Sequence, residues 1–206
     1  MMYPVVRDIA KRLLYPIDPR FRGVELMEGI DWWMKSRKAG VPIDSDGAPW
    51  PWWTYSSIRF LEPRLGSSFR VFEWGSGYST RWLAARVKEI VAVEHDPDWY
   101  EELDDAEVLF RPGGDGYVSA IRGRGPFEVV IVDGQERVAC AHEVTAELAD
   151  DGVVIWDNAD RPDYQMGYDH LTEQGFRRID FTGIGPVNGY VWTTAVFYRP
   201  GNCLGI

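Results

Sequence analysis

The segment 71–96, VFEWGSGYSTRWLAARVKEIVAVEHD, concentrates groups able to bind a ligand. An apolar run ends in Glu73. Behind Trp74 comes a glycine turn of Gly75, Ser76 and Gly77, and Ser79 and Thr80 then open a helical pattern. A second apolar run ends in Glu94. Gly75 and Gly77 let backbone approach a ligand closely, and an acid at the end of the second run can accept hydrogen bonds from both hydroxyls of a ribose. That combination describes nucleoside binding. The turn reads G-S-G-Y-S-T and lacks the third glycine that brings a helix against a pyrophosphate, and Glu73 in front of it would repel such a group. A ligand carrying an ammonium group suits this turn better.

The elements that must position these residues follow from periodicity. From about residue 69 short β-rich runs alternate with helical patterns, the mark of a parallel sheet covered by helices. Strands are predicted at 69–74, 90–94, 107–110, 127–133 and 153–157, with crossover helices at 79–87 and 138–148. Asp96-Pro97 is a helix start, Asp as the cap and Pro in the first turn. After residue 174 two β-rich stretches, one at Gly175-Phe176 and one at 192–198, flank the segment TGIGPVNG and predict an antiparallel pair that closes the sheet. Residues 1–68 differ: helices are predicted at 5–14, 24–38 and 56–65, with the Pro/Trp-rich loop APWPWWTY between the last two.

At the glycine turn the sequence resembles the class I methyltransferases that use S-adenosylmethionine (SAM), which share the E/D-x-G-x-G turn and the acidic end of the second strand. The resemblance spans roughly residues 69–199 and implies SAM as the cofactor. Carried over, Glu73 and the backbone of Trp74, Gly75, Ser76 and Gly77 would hold the methionine moiety, with Ser79 and Thr80 opening the helix behind them, and Glu94 the ribose. His95 would lie beside the adenine, with Asp115, Gly116 and Tyr117 of PGGDGY near its amino group. Asp133, in VIVDG, would form the floor of the methyl-transfer site. The implied fold is α/β: a three-layer Rossmann-like sheet of about seven strands, mostly parallel with one antiparallel strand. Residues 1–68 are then expected to form a helical, aromatic cover that chooses the acceptor, and residues 69–206 the SAM-binding domain.

A second acidic group follows in WDNADRPDY. If the fourth and fifth strands are adjacent, Asp133, Asp157 and Asn158 cluster hard oxygen ligands suited to Mg²⁺ or Ca²⁺. The arrangement is similar to that of metal-dependent catechol-type O-methyltransferases. It departs from them where they carry a lysine base, because Gly134, Gln135, Glu136 and Arg137 follow Asp133 here, and arginine is no base at neutral pH. The other reading of Asp157-Asn158 is a capped turn. Without a metal, Asp133 or Asp157 is the expected base, its pKa raised by its like-charged neighbour, and Arg137 and Arg161 orient the acids or bind an anionic acceptor. His142 and His170 read as ordinary helix residues.

Composition narrows the remaining classes. With 22 basic and 32 acidic residues the net charge is −10, which disfavours nucleic acid as a partner. Two cysteines give neither a disulfide framework nor a zinc site, and the amino terminus shows no secretory pattern, so a cytoplasmic protein is expected. Of ten tryptophans, five precede residue 54. Trp50, Trp52, Trp53 and Tyr55, with Arg161, are the acceptor-site candidates, and Trp32 and Trp33 are read as packing against the sheet. Residues 1–22 form a basic amphipathic segment, read as packing on its own domain or on a second subunit in a homodimer, with an anionic membrane surface as the alternative. The resulting expectation is SN2 methyl transfer to an oxygen, less readily a nitrogen, of a small-molecule or glycan acceptor. The alternatives are an aminopropyltransferase of the spermidine synthase type, suggested by Gly114 to Gly116, and a non-catalytic glycan-binding protein of the same fold.

Overall fold

The computed structural model describes residues 23–103 and 106–206. The expected helix at 5–14 and the basic segment 1–22 lie outside the described residues.

Runs such as VFEW, EIVAVE and FEVVIV carry too few polar residues to face water on either side, so they must be covered on both. They form β1 (Arg70–Trp74), β2 (Glu89–Glu94) and β4 (Phe127–Val132), with β3 (Glu107–Phe110) and β5 (Leu148–Trp156) completing the parallel part of the sheet. β7 (Trp192–Tyr198) runs antiparallel between β5 and β6 (Arg177–Gly183). The order is β3-β2-β1-β4-β5-β7-β6, seven strands of which β7 alone is reversed, as expected. Side chains alternate between two cores. Phe72, Trp74, Val91, Val93, Val130 and Val132 face α5 (Asp115–Val118), α6 (Arg137–Glu147) and α7 (Gln165–Glu173). On the other face Val71, Ile90, Val129, Ile131 and Ile155 pack with α2 (Tyr55–Leu61) and α3 (Tyr78–Ala84), while α1 (Gly23–Ala39) lies further out and α4 (Pro97–Glu101) packs at β2 and β3.

Among the boundaries that differ from expectation, three have a clear physical reason. β5 begins five residues early because Leu148 pairs with Phe127 ahead of an irregularity at the exposed Asp150 and Asp151, which pushes Val153 into register with Val129. The preceding helix therefore stops at Glu147. β6 starts at Arg177, since Gly175 (φ +86°) is the turn and Phe176 only its buried anchor. Its charges, Arg177, Arg178 and Asp180, suit an edge strand and hide it from an apolar search.

The segment before β1 shares a core with the sheet. Trp53, Ile58 and Leu61 are fully buried against Val71, Ile131 and Ile155. Trp32 packs against this core, edge-on to Trp50 with ring centroids 5.2 Å apart, and Trp33 donates its indole N–H to the Asn188 carbonyl at 2.7 Å.

β1 and β4 are neighbours whose crossovers leave in opposite directions, so their carboxyl ends flank a crevice. The tips touch there. Gly75 (φ +91°) lies so close to Gly134 that an added methyl would sit 3.0 Å from the Gly134 backbone. Gly134 has even less space, its missing Cβ falling 1.8 Å from the Tyr117 hydroxyl and 2.8 Å from Gly75 N. Gly134→Ala is expected to lower stability by roughly 1–3 kcal/mol through this overpacking. Urea denaturation measures it, and an unchanged midpoint would mean that the tips are free to part.

Candidate active site

The carboxyl edge of the sheet holds a cleft of about 260 Å³, with Ser76 to Ser79 on one side and Asp133, Asp157, Asn158 and Arg161 on the other. Its aromatic walls are Trp52, Tyr78, Trp99, Tyr190 and Trp192, and Asn188 enters from the β6–β7 loop. One cleft thus joins the glycine turn to the second acidic group.

Glu73 is fully buried at the end of β1, on the face covered by α3. Ser79 Oγ and Thr80 Oγ1 lie 2.6 Å from its two oxygens, and Thr80 Oγ1 also accepts the Gly77 N–H at 3.0 Å. Glu73 therefore anchors the turn and the first residues of α3, and does not itself line the cleft. Gly77 leaves the cleft open beside Trp99, whose ring is 3.9 Å from where a Cβ would stand.

Glu94 is nearly as buried, and four donors surround it. Ser76 N and Oγ meet Oε2 at 2.7 and 2.9 Å, and the backbone N–H groups of His95 and Asp96 meet Oε1 at 2.7 and 2.9 Å. His95 Nδ1 stands 2.8 Å from Oε1 without the angle of a hydrogen bond. The Asp96 cap is as expected, its carboxylate accepting the Asp98 N–H at 2.9 Å. Trp74 is buried; its indole N–H reaches the Tyr117 carbonyl, and its own carbonyl accepts the Asp133 N–H. Tyr117 is buried too, while Asp115 and Gly116 are exposed; none of these residues lines the cleft.

Asp133 and Asp157 end β4 and β5 side by side, with Arg137 of α6 beneath them. Its guanidinium donates to the Gly134 carbonyl at 2.8 Å, to the Asp133 carbonyl at 2.7 Å and Asp133 Oδ1 at 3.1 Å, and to the Asp157 carbonyl. Asp157 Oδ1 accepts the Trp192 indole N–H at 3.1 Å and the Thr194 hydroxyl at 2.6 Å. Burial raises the pKa of both acids. Arg137 opposes the rise at Asp133, and the charge of Asp133 adds to it at Asp157. The pair therefore tends to share a proton. Asp133 keeps about a fifth of its side chain (22%) open to solvent.

The same geometry tests the expected cation. Asp133, Asp157 and Asn158 do stand together at the cleft, but the guanidinium already holds Asp133 Oδ1, and Asp157 Oδ1 is committed to Trp192 and Thr194. A divalent cation about 5 Å from a guanidinium is repelled by roughly 7 kcal/mol at an effective dielectric of about 20. These residues do not fit Mg²⁺ or Ca²⁺. Among the described residues no group of three or more His, Cys, Asp or Glu is placed to hold a metal ion.

Among the acceptor candidates, Trp52 and Arg161 face the cleft. Trp50 and Tyr55 instead pack with Trp32, and Trp53 lies fully buried against Trp82 with its indole directed toward Asp133. That packing keeps these three out of the cleft lining. Sequence reading missed Tyr78, Trp99, Asn188, Tyr190 and Trp192. The available signal was topological: a reversed last strand begins at the edge where the parallel strands end, which brings residues 188–192 to the site. The backbone there is strained. Val187 has φ +66° in a three-residue turn closed by Asn188 N to the Pro186 carbonyl at 2.7 Å, a conformation costly for a β-branched residue. His142 and His170 meet between α6 and α7 with their rings tilted and their centroids 4.0 Å apart, away from the cleft lining.

No family model matches the chain, and no curated protein matches its sequence. Solved structures share its fold. An O-methyltransferase from Bacillus cereus in complex with SAH, the demethylated cofactor, superposes with a TM-score of 0.58 at 17% identity, over 95% of this chain and 97% of that one. A methyltransferase from Pyrococcus furiosus gives 0.53 at 18% identity, over 81% and 95%. Precorrin-6y C5,15-methyltransferase from Geobacter metallireducens gives 0.53 at 11% identity, over 70% and 87%. The chain has the class I SAM-dependent methyltransferase fold.

Burial pushes the Glu73 carboxyl up to about 8 against the pull of the Ser79 and Thr80 hydroxyls. An acid that holds its proton when folded and loses it at about 4.3 when unfolded stabilises the fold fully below that value, and the stabilisation is lost as pH rises through about 8. Chain stability is thus expected to fall between about pH 5 and pH 8, and Glu73→Gln, neutral and of equal shape, to flatten the decline by more than ~1 kcal/mol at pH 9. Urea melts at three pH values measure this. A parallel decline in both proteins would mean that Glu73 ionises as freely as in water.

Proposed function

We propose that the chain is a SAM-dependent methyltransferase that moves a methyl group by SN2 displacement to an oxygen, less readily to a nitrogen, of a small-molecule or glycan acceptor. The single observation that carries this reading is the cleft that joins Ser76 to Ser79 with Asp133 and Asp157 between aromatic walls. The shared fold supports the cofactor. So does Gly77, where a side chain would fill the space beside Trp99.

When bound, SAM supplies a methyl group already activated by its sulfonium. The chain's task is to align and to keep the site dry. Ser76 and Gly77 would take the methionine moiety, and a ribose would reach Glu94 by displacing the Ser76 hydroxyl, the cleft-side donor on that carboxylate. Trp52, Tyr190 and Trp192 would hold an acceptor ring, planar or sugar, by its apolar face. Arg161, which donates to the Tyr164 hydroxyl, would take a negative group on the acceptor. The Asp133–Asp157 pair would take the proton that the acceptor oxygen gives up on accepting the methyl group. Asp133 is the better placed base because it opens to solvent. The aromatic cover before β1 would set the acceptor through Trp52. The two thiols are free, Cys140 buried and Cys203 half-buried, and fit the reducing cytoplasm in which we place the reaction. Among the described residues no helix is long and apolar enough to cross a membrane.

Isothermal titration with SAH tests the reading first: micromolar binding is expected, weakened at least ~10-fold in Glu94→Ala, and no binding at high micromolar concentration would sink it. In an acceptor screen that follows SAH production, Asp133→Asn is expected to retain SAH binding and lose ~100-fold or more of the turnover.

A further inference from the structure

The acids at the tips of β4 and β5 form the oxygen cluster that would suit a divalent cation, and a buried guanidinium already occupies their company. We propose that Arg137 stands in the place of a cation in this chain, its fixed charge being the permanent partner of Asp133 and Asp157, so that the cleft excludes divalent ions and works without them. The inference rests on the methyl-transfer reading only for what the acids do afterwards. The exclusion itself is a matter of geometry.

Arg137 reaches three residues at once, with donors to the carbonyls of Asp133, Gly134 and Asp157 and to Asp133 Oδ1. Its side chain is only 7% exposed, and the Tyr164 ring covers it 5.3 Å from the guanidinium carbon. It cannot swing aside for an ion without leaving strand-end carbonyls buried and unpaired. The planar fork matters, because a lysine offers one point charge and cannot span two strand tips and a carboxylate together. On the other acid, Asp157 Oδ1 is filled by Trp192 and Thr194. An arriving ion would meet two half-committed carboxylates with a positive charge behind them. Arg137 acts through the acids and is a positioning residue.

Mn²⁺ is the probe, titrated into the full chain and followed by electron paramagnetic resonance. Wild type is expected to show no site below millimolar concentration. Arg137→Gln, which deletes the charge, is expected to gain a site at least ~10-fold tighter than any in wild type, and Arg137→Lys, which restores it, to stay without one. A merely structural role would produce neither gain nor rescue. Binding to wild type tighter than about 0.1 mM and lost in Asp133→Asn would overturn the proposal. So would a folded Arg137→Gln that gains nothing. If that variant does not fold by circular dichroism, the wild-type titration alone decides. SAH calorimetry on the same samples keeps the two readings apart, since failure to bind SAH removes the methyltransferase reading and leaves the cation result standing.

Discussion

The structure depends on how β4 and β5 are finished. Parallel strands that stop side by side leave carbonyls pointing into the crevice, and here each strand also ends in an acid. Burying two carboxylates and several carbonyls together would be costly without a positive charge among them. Arg137 provides it from the first turn of α6, where Glu136 in a left-handed conformation (φ +51°) starts the helix at the strand tip. Gly75, Gly134 and Tyr117 close the same tip from the other side, by contact rather than by charge. The crevice keeps its shape because both ends of that arrangement are fixed.

The acids along this edge look equivalent in the sequence and are not equivalent in the fold. Glu73 is internal, and its burial and pKa make it a proton-holding brace for the glycine turn. Glu94 is saturated by backbone and Ser76, which leaves one side-chain donor that a ligand can exchange. Asp157 is divided between Trp192, Thr194 and the neighbouring acid. Only Asp133 combines a raised pKa with an open face. One carboxylate at this edge is therefore both proton-retentive and open, while the others are held by neighbouring groups.

The sheet was legible because its central strands are apolar runs bounded by turns, and the reversed last strand announced itself in WTTAVFY. β6 was hidden by the charges that protect an edge, and the start of β5 by an irregular ladder. In the site, the glycine turn and the strand-end acids were readable from spacing, since a strand followed by a turn fixes where its last side chain lies. Which tryptophans face the cleft was not. Trp52 and Trp53 are adjacent in sequence, yet one lines the cleft and the other fills the core, a choice made by side-chain packing that no local pattern encodes. Arg137 was recognisable as no base, but its reach to three carbonyls depends on the angle between α6 and the strands.

The tryptophan-rich cover explains how an edge loop can be held in an unfavourable shape. The β6–β7 loop carries the strained Val187 and exposes Tyr190, 60% accessible, at the mouth of the cleft. Such strain, of order 1–3 kcal/mol, persists only where neighbours over-determine the backbone. Three contacts from the cover do so: Trp33 Nε1 to the Asn188 carbonyl, Tyr55 N to the Ile184 carbonyl, and Thr54 Oγ1 to the Phe181 carbonyl. The cover thus acts on the cleft in two ways. It contributes Trp52 directly, and it holds the loop through the Trp33 indole at the Asn188 carbonyl and Tyr55 N at the Ile184 carbonyl. The segment before the sheet and the last hairpin therefore form one wall of the cleft, and a change in either alters the surface that Trp52 and Trp192 present there.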